Sequence, residues 1–489
     1  MNGAERPAVR RCRAPASLRI AARVVLSCAA VCASSGAPAA TQRLILLHDN
    51  DLHGHLRSFC YVERALGTDE RCNVGGAARR STLIEALRAG ADAPVLLVDA
   101  GDTTTRGPLA TLYEGSDEID AMNAMRYDIA TIGNNEFKLK DGADAEDARG
   151  AQAALARLIR RSRFPWLCAN ATDANGALMT GVQPFVVRTI GAIRVAFIGL
   201  TAPRSRAYPQ TRGLVIGDPV AAAKLWIPQA RAEADVVVAV THLGVDDDRR
   251  LVSETRGIDA LIGGDSHTFL YEPLSQRNVD GVAVPIVQDG EFGVRLGRLE
   301  LLFEGDAAHG WHLRDAADRL IPVDAALRPD PDIDAIVEGY ASVLDARAGG
   351  FPATSLPPPA RRTLTAQALA EAWKATAATD VGLEREDDLY DTFTGPEISR
   401  YAVHSVIPFH ETIWRGVLSG EQLRLLLASS TTYGGRLRST LREEDIDPLA
   451  RYTVATTTFL ATSILPQGED TGKDSRASVE AWLAGRASP

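Results

Sequence analysis

The chain has 489 residues, 45% of them apolar and 24% charged, with a formal net charge of −10. That length exceeds one ordinary core and predicts two or three domains. The acidic balance excludes an electrostatic nucleic-acid or anionic-membrane surface, and no segment offers the roughly 18 uninterrupted apolar residues that stable membrane insertion requires.

The first 39 residues stand apart. Six arginines (Arg6, Arg10, Arg11, Arg13, Arg19, Arg23) face one acid, Glu5, and a short apolar run at 24–33 leads to Ala37-Pro38-Ala39. A basic region, a short apolar region and an A-x-A site describe a secretory signal, so the expected location is periplasmic or secreted. Cys12, Cys28 and Cys32 leave with that segment. Cys60 and Cys72 flank one short loop and are expected to form a disulfide under oxidising conditions, while Cys168, in an apolar run, is expected to be a buried thiol.

From residue 43, short apolar runs alternate with longer amphipathic ones. The runs 44–47, 95–98, 129–132, 195–198, 236–240 and 260–262 predict buried strands, and 76–87, 117–125, 151–159 and 219–232 predict the helices between them. The stretches 186–200 and 284–303 look like consecutive strands, so the class is α/β with an α+β admixture: two stacked sheets with helices outside. The first domain is expected over 41–325, and a helix with a Gly- and Pro-rich linker over 326–362. A smaller α/β domain is expected over 363–466, and a loosely docked tail over 467–489.

The chemistry lies where the strands end. Residues 44–47 run into His48-Asp49-Asn50-Asp51-Leu52-His53-Gly54, and 95–98 into Asp99-Ala100-Gly101-Asp102. Residues 129–132 run into Gly133-Asn134-Asn135-Glu136, 236–240 into Thr241-His242, and 261–262 into Gly263-Gly264-Asp265-Ser266-His267. Ligands gather outside the carboxyl ends of strands in α/β sheets. Five such ends would collect Asp51, His53, Asp102, Asn134, His242, Asp265 and His267. Imidazoles suit transition metals and carboxylates suit harder ions, and the absence of cysteine from the set argues against structural zinc.

With these motifs in view, residues 43–303 resemble the calcineurin-like metallophosphoesterases. More narrowly, the chain is similar to the exported 5′-nucleotidase, UDP-sugar hydrolase and 2′,3′-cyclic-nucleotide phosphodiesterase family, as a divergent member. Gly75-Gly76-Ala77-Ala78-Arg79, Ala121-Met122-Asn123-Ala124 and Ala196-Phe197-Ile198-Gly199-Leu200-Thr201 match as well. The resemblance implies a four-layer αββα sandwich and a C-terminal substrate-binding domain. It also implies two divalent ions (Mn, Mg, Zn or Fe), with Asp51, His53 and His267 on one, Asn134, His242 and Asp265 on the other, and Asp102 bridging. The implied reaction is hydrolysis of a small phosphate ester by a metal-activated hydroxide.

Three departures qualify that expectation. The family's Gly-Asn-His-Glu reads Gly-Asn-Asn-Glu here, so Asn135, which cannot shuttle a proton, joins Asp102 as the expected catalytic pair. Lys138 stands where an orienting Asp is usual. Asp265 replaces a His ligand. In the second domain the family's glycine-rich loop becomes Arg385-Glu386-Asp387-Asp388-Leu389-Tyr390, leaving Phe409, Arg385 and Tyr390 as substrate-contacting candidates. Two other outcomes fit this pattern: a hydrolase of a different ester, such as a thiosulfohydrolase-like enzyme, and a non-catalytic metal- or ligand-binding relative.

Overall fold

A computed structural model describes residues 40–62, 71–139, 147–306, 310–351, 358–428, 436–465 and 467–486. The expected signal segment lies outside the described residues. Among them, no helix is long and apolar enough to cross a membrane.

Residues 40–322 are built on two sheets. The larger runs in the order Gly310–Ala317, Arg295–Asp306, Ala40–Asp49, Val95–Asp99, Ile129–Thr131, Trp166–Leu167, Val182–Gln183, with Leu320–Pro322 also pairing to Arg295–Asp306. The smaller runs Leu274–Arg277, Ala283–Val287, Ala260–Ile262, Val236–His242, Ile193–Thr201, Phe185–Ile190. Strand Ala40–Asp49 shows why the sheets stack. Its alternate residues point to opposite faces: Leu44 and Leu46 pack between the sheets with Phe197, Val238 and Ile262. Ile45 and Leu47 face the helices, with Ile84, Met122, Leu155 and Val337. The outer face of the smaller sheet is covered by Pro219–Glu233 and Val245–Glu254 through Ile227 and Leu251. The result is the expected helix–sheet–sheet–helix stack, with the central strands buried on both faces and the edge strands Gly310–Ala317 and Leu274–Arg277 partly exposed.

Parallel pairing aligns the carboxyl ends. Asp49 lies beside Asp99, Val98 beside Ile129, and Thr201 beside His242. Thr131 Oγ1 donates to Val240 O at 3.0 Å, tying the two sheets together where the strands finish. Cys60 and Cys72 are disulfide-bonded, and Cys168 is a buried free thiol whose pKa burial pushes up to about 12.

The second core surrounds a five-stranded sheet ordered Leu437–Ser439, Val381–Arg385, Arg451–Thr457, Thr412–Ser419, Gly468–Asp474. Helix Pro358–Ala377 packs on it through the fully buried Trp373, whose indole Nε1 donates to Glu384 Oε2 at 2.8 Å. Two expectations need correction here. The stretch after 466 is not loosely docked: Gly468–Asp474 is an edge strand paired with Thr412–Ser419, and helix Ser475–Ala484 inserts Val479 and Leu483 into the core. Its small and polar residues weaken the periodic signal, but two apolar anchors one turn apart are enough to dock it. The described part of the expected linker is ordered structure. Gly349 and Gly350 belong to strand Arg347–Gly350, paired with Glu397–Ser399. A Cβ on Gly349 would meet the Leu483 backbone at 2.3 Å, so that glycine serves close packing rather than flexibility. Residues 352–357 of that stretch lie outside the described residues.

Candidate functional site

All seven residues expected at strand ends lie along the common carboxyl edge of the two sheets. Asp51, His53 and His267 form one close group of possible ligand atoms, and Asp51, Asp102 and His242 form another. Asp51 Oδ1 lies 3.6 Å from His53 Nε2, 3.2 Å from His267 Nε2 and 3.8 Å from His242 Nε2. Asp102 Oδ2 lies 3.9 Å from His53 Nε2 and 3.1 Å from His242 Nε2. Asp51 belongs to both groups, and Asp102 Oδ2 lies near imidazoles of both. Asp51, His53, Asp102 and His242 are essentially buried.

The backbone is shaped for this convergence. Asp51, His53, Asp102, Asp265 and His267 all have positive φ, between 48° and 85°. That conformation is unfavourable for residues with a Cβ and concentrates at functional sites. Glu136 holds two of the loops together. Its carboxylate accepts from the backbone N–H of Asp102 (2.9 Å), Thr103 (2.8 Å), Thr104 (3.1 Å) and Gly133 (2.8 Å), and from Thr104 Oγ1 (3.1 Å).

The imidazoles are aimed from behind. His242 Nδ1 donates to Ala100 O at 2.7 Å, and His267 Nδ1 bonds Glu291, which also accepts from Tyr61 OH at 2.8 Å. Each arrangement leaves Nε2 facing the acids, as a ligating histidine needs. The electrostatics are those of a pocket short of positive charge. Burial works against the charged forms, yet Asp102 and Asp51 raise His242 to about 9, and Asp51 and Glu291 raise His267 to about 10. Burial pushes Asp51 up, but His242 and His267 hold it well below the ordinary carboxylate range. His53, where burial dominates, falls to about 4. Asp51 Oδ1 and His242 Nε2 are buried with no hydrogen-bond partner. Orphaned oxygen and imidazole donors within coordination reach of one another fit divalent ions.

The outer donors have a different environment. Asp265 Oδ1 is 3.4 Å from His242 Nε2, but both its carboxylate oxygens accept from the Arg204 guanidinium, and Arg204 Nη2 also donates to Asn134 Oδ1 at 2.8 Å. Asn135 does not face outward: its side-chain amide donates to Asp102 Oδ2, and its backbone N–H donates to Asp102 Oδ1 at 2.7 Å. Lys138 lies over the Tyr208 ring, with Nζ 4.0 Å from the centroid. Of the substrate-contacting candidates, Tyr390 and Phe409 meet edge-on at 5.2 Å, and the Arg106 guanidinium lies 5.9 Å from the Phe409 ring. Arg385 is instead held by Asp388, at 2.8 and 2.6 Å.

Arg204, Glu136, Glu291 and Arg106 were not anticipated from the sequence. Arg204 follows the end of strand Ile193–Thr201, whose last residue pairs with His242. The strand-end rule that located the other residues, applied to this sixth strand, would have reached it. Glu136 and Arg106 stand within four residues of Gly133 and Asp102. Glu291 has no local signal.

The calcineurin-like phosphoesterase family matches residues 46–269. Human 5′-nucleotidase is 29% identical over 360 residues, covering 69% of this chain and 57% of its own length. The chain thus spans little more than half of that relative. The crystal structure of a 5′-nucleotidase precursor from Thermus thermophilus superposes with a TM-score of 0.70 at 23% identity, covering 90% of this chain and 96% of that one. A sulfate thiohydrolase of the same organism superposes with a TM-score of 0.67 at 19% identity, covering 90% and 93%. The chain carries a calcineurin-like phosphoesterase domain and is homologous to the 5′-nucleotidases.

Proposed function

We propose that the protein is an exported, metal-dependent hydrolase of small phosphate esters. The observation that carries this reading is the convergence of Asp51, His53, Asp102, His242 and His267 from separate strand ends, with Asp51 Oδ1 and His242 Nε2 buried among one another's ligand atoms without a well-formed hydrogen bond. A divalent centre bound there supplies Lewis-acid charge and acidifies water for attack on phosphorus. The chain's own residues do the rest. Glu291 and Ala100 O fix the ring orientations of His267 and His242. Asn135 positions the Asp102 carboxylate through two hydrogen bonds, which makes it a positioning residue rather than a proton donor. Arg106, beside Phe409 and Tyr390, offers a cation and aromatic faces to an anionic ester carrying a ring. No imidazole stands in Asn135's place, so the reading favours esters whose leaving groups need little protonation.

The experiment is hydrolysis of bis-p-nitrophenyl phosphate and p-nitrophenyl phosphate with added Mn²⁺, against an Asp102→Ala control. The expected result is turnover that falls on the order of 10²-fold or more in the control. Equal rates in both proteins refute the hydrolase and leave a metal- or ligand-binding role. Release of phosphate from nucleoside 5′-monophosphates tests the nucleotide substrate class, and fractionation of the producing cell tests export.

A further inference from the structure

Two of the donors expected on the second ion, Asn134 and Asp265, share a cation. Arg204 stands at the start of the turn Pro203–Ala207, just after strand Ile193–Thr201. The turn is fixed from below: Ser205 is fully buried, and Thr211 Oγ1 donates to Ser205 O at 2.9 Å. From that base the guanidinium reaches both oxygens of Asp265 and the side-chain oxygen of Asn134. Those are the atoms through which Asp265 and Asn134 would ligate an ion. Asp265 is itself held in place, with its backbone N–H donating to Asp51 Oδ2 at 2.8 Å. Among the described residues, no comparable side-chain cation takes the donor atoms of the group Asp51, His53 and His267, whose Nε2 and Oδ1 atoms approach one another at 3.2–3.6 Å.

We propose that Arg204 takes the place of a second metal ion, so that the centre holds one divalent ion at Asp51, His53 and His267 and a guanidinium beside it at Asn134 and Asp265. The inference rests on the hydrolase reading and deepens it. The physical reasons are geometric and electrostatic. A guanidinium's planar fork matches a carboxylate bidentately and is always charged. Arg204 is half-exposed, but a dication on the same oxygens would still have to break three charge-assisted bonds and displace a like charge. Asp265 brings a full negative charge that one guanidinium neutralises. Three of the five guanidinium donors are engaged by Asp265 and Asn134; the remainder are free to meet a phosphoryl oxygen, giving Arg204 the charge-stabilising work a second ion would do.

The test is metal stoichiometry, read on the full chain. Protein stripped with chelator and dialysed against Mn²⁺ is measured by elemental analysis and by electron paramagnetic resonance. The wild type is expected to hold one ion per chain with the spectrum of an isolated Mn²⁺. Arg204→Met is expected to take up a second ion and show a spin-coupled pair, and Arg204→Lys, which keeps the charge, to stay near one. Two ions in the wild type, with a coupled spectrum, overturn the proposal while leaving the hydrolase reading intact. A wild type that binds no ion and does not hydrolyse aryl phosphates overturns both. If Arg204→Met does not fold, the wild-type count and spectrum still decide.

Discussion

Replacing Glu136 with Gln asks whether the two loops that carry Asp102 and Asn134 are held by one buried carboxylate. One carboxylate oxygen accepts from Asp102 N and Gly133 N, and the other from Thr103 N, Thr104 N and Thr104 Oγ1. A glutamine fits the space but has one acceptor oxygen. Whichever way its amide turns, at least two backbone N–H groups face an NH₂. Hydrogen bonds to a charged acceptor are worth about 1.5–3 kcal/mol each. Burial and the neighbouring Asp102 raise the Glu136 pKa, so removing its charge returns part of that loss. The net cost is about 2–4 kcal/mol. It is measured as a lower urea midpoint on chelator-treated protein, which removes the stabilisation that bound metal would add. In the same variant Mn²⁺ affinity, read by calorimetry, is expected to fall about 10–100-fold, the usual effect of losing a group that orients ligands. A variant with wild-type urea midpoint and wild-type affinity refutes the reasoning.

Two further predictions concern the rest of the molecule. His404 is buried, and its Nδ1 donates to Pro108 O at 3.2 Å; burial and the Arg476 charge hold its imidazole down to about 4, against about 6.5 unfolded. The neutral ring's contribution, up to about 3 kcal/mol, is fully present above pH 6.5 and is lost as pH falls toward 4. His404→Gln is expected to flatten the acid side of the stability profile of metal-free protein, and an unchanged slope from pH 7 to 4.5 removes this residue from the account. Leu483, fully buried in the second core, is expected to cost about 2–5 kcal/mol when cut to alanine. The loosely docked tail expected from the sequence would instead leave urea unfolding unchanged within about 0.5 kcal/mol.

The site was legible because strand ends announce themselves: an apolar run that stops at Asp, Asn or His fixes both where the side chain sits and which edge it shares. Asp51, His53, Asp102, His242 and His267 came from that rule alone. Orientation was not legible. Nothing in the order Asn134-Asn135 says that the second amide turns back onto Asp102, or that Asp388 holds Arg385, because short-range partners outcompete the open cleft only in three dimensions. Glu291 and Arg204 contribute through contacts to residues 24 and 61 positions away, separations that carry no periodic signature. The stretch 468–484 was misread for a related reason: an edge strand has one partnered side, so its polar sequence Gly468–Asp474 resembles a loop until its neighbour is known.

The interlock between Gly349 and Leu483 reaches into how the molecule comes to exist. Strand Ala40–Asp49 finds its antiparallel partner only in Arg295–Asp306, and the second core stays open until residues 479 and 483 arrive. A chain emerging from a ribosome therefore cannot close the first core before Arg295–Asp306 is made, nor the second before residue 483. Until its closing element is made, each core leaves apolar strands uncovered, a condition in which a chaperone can still capture the polypeptide.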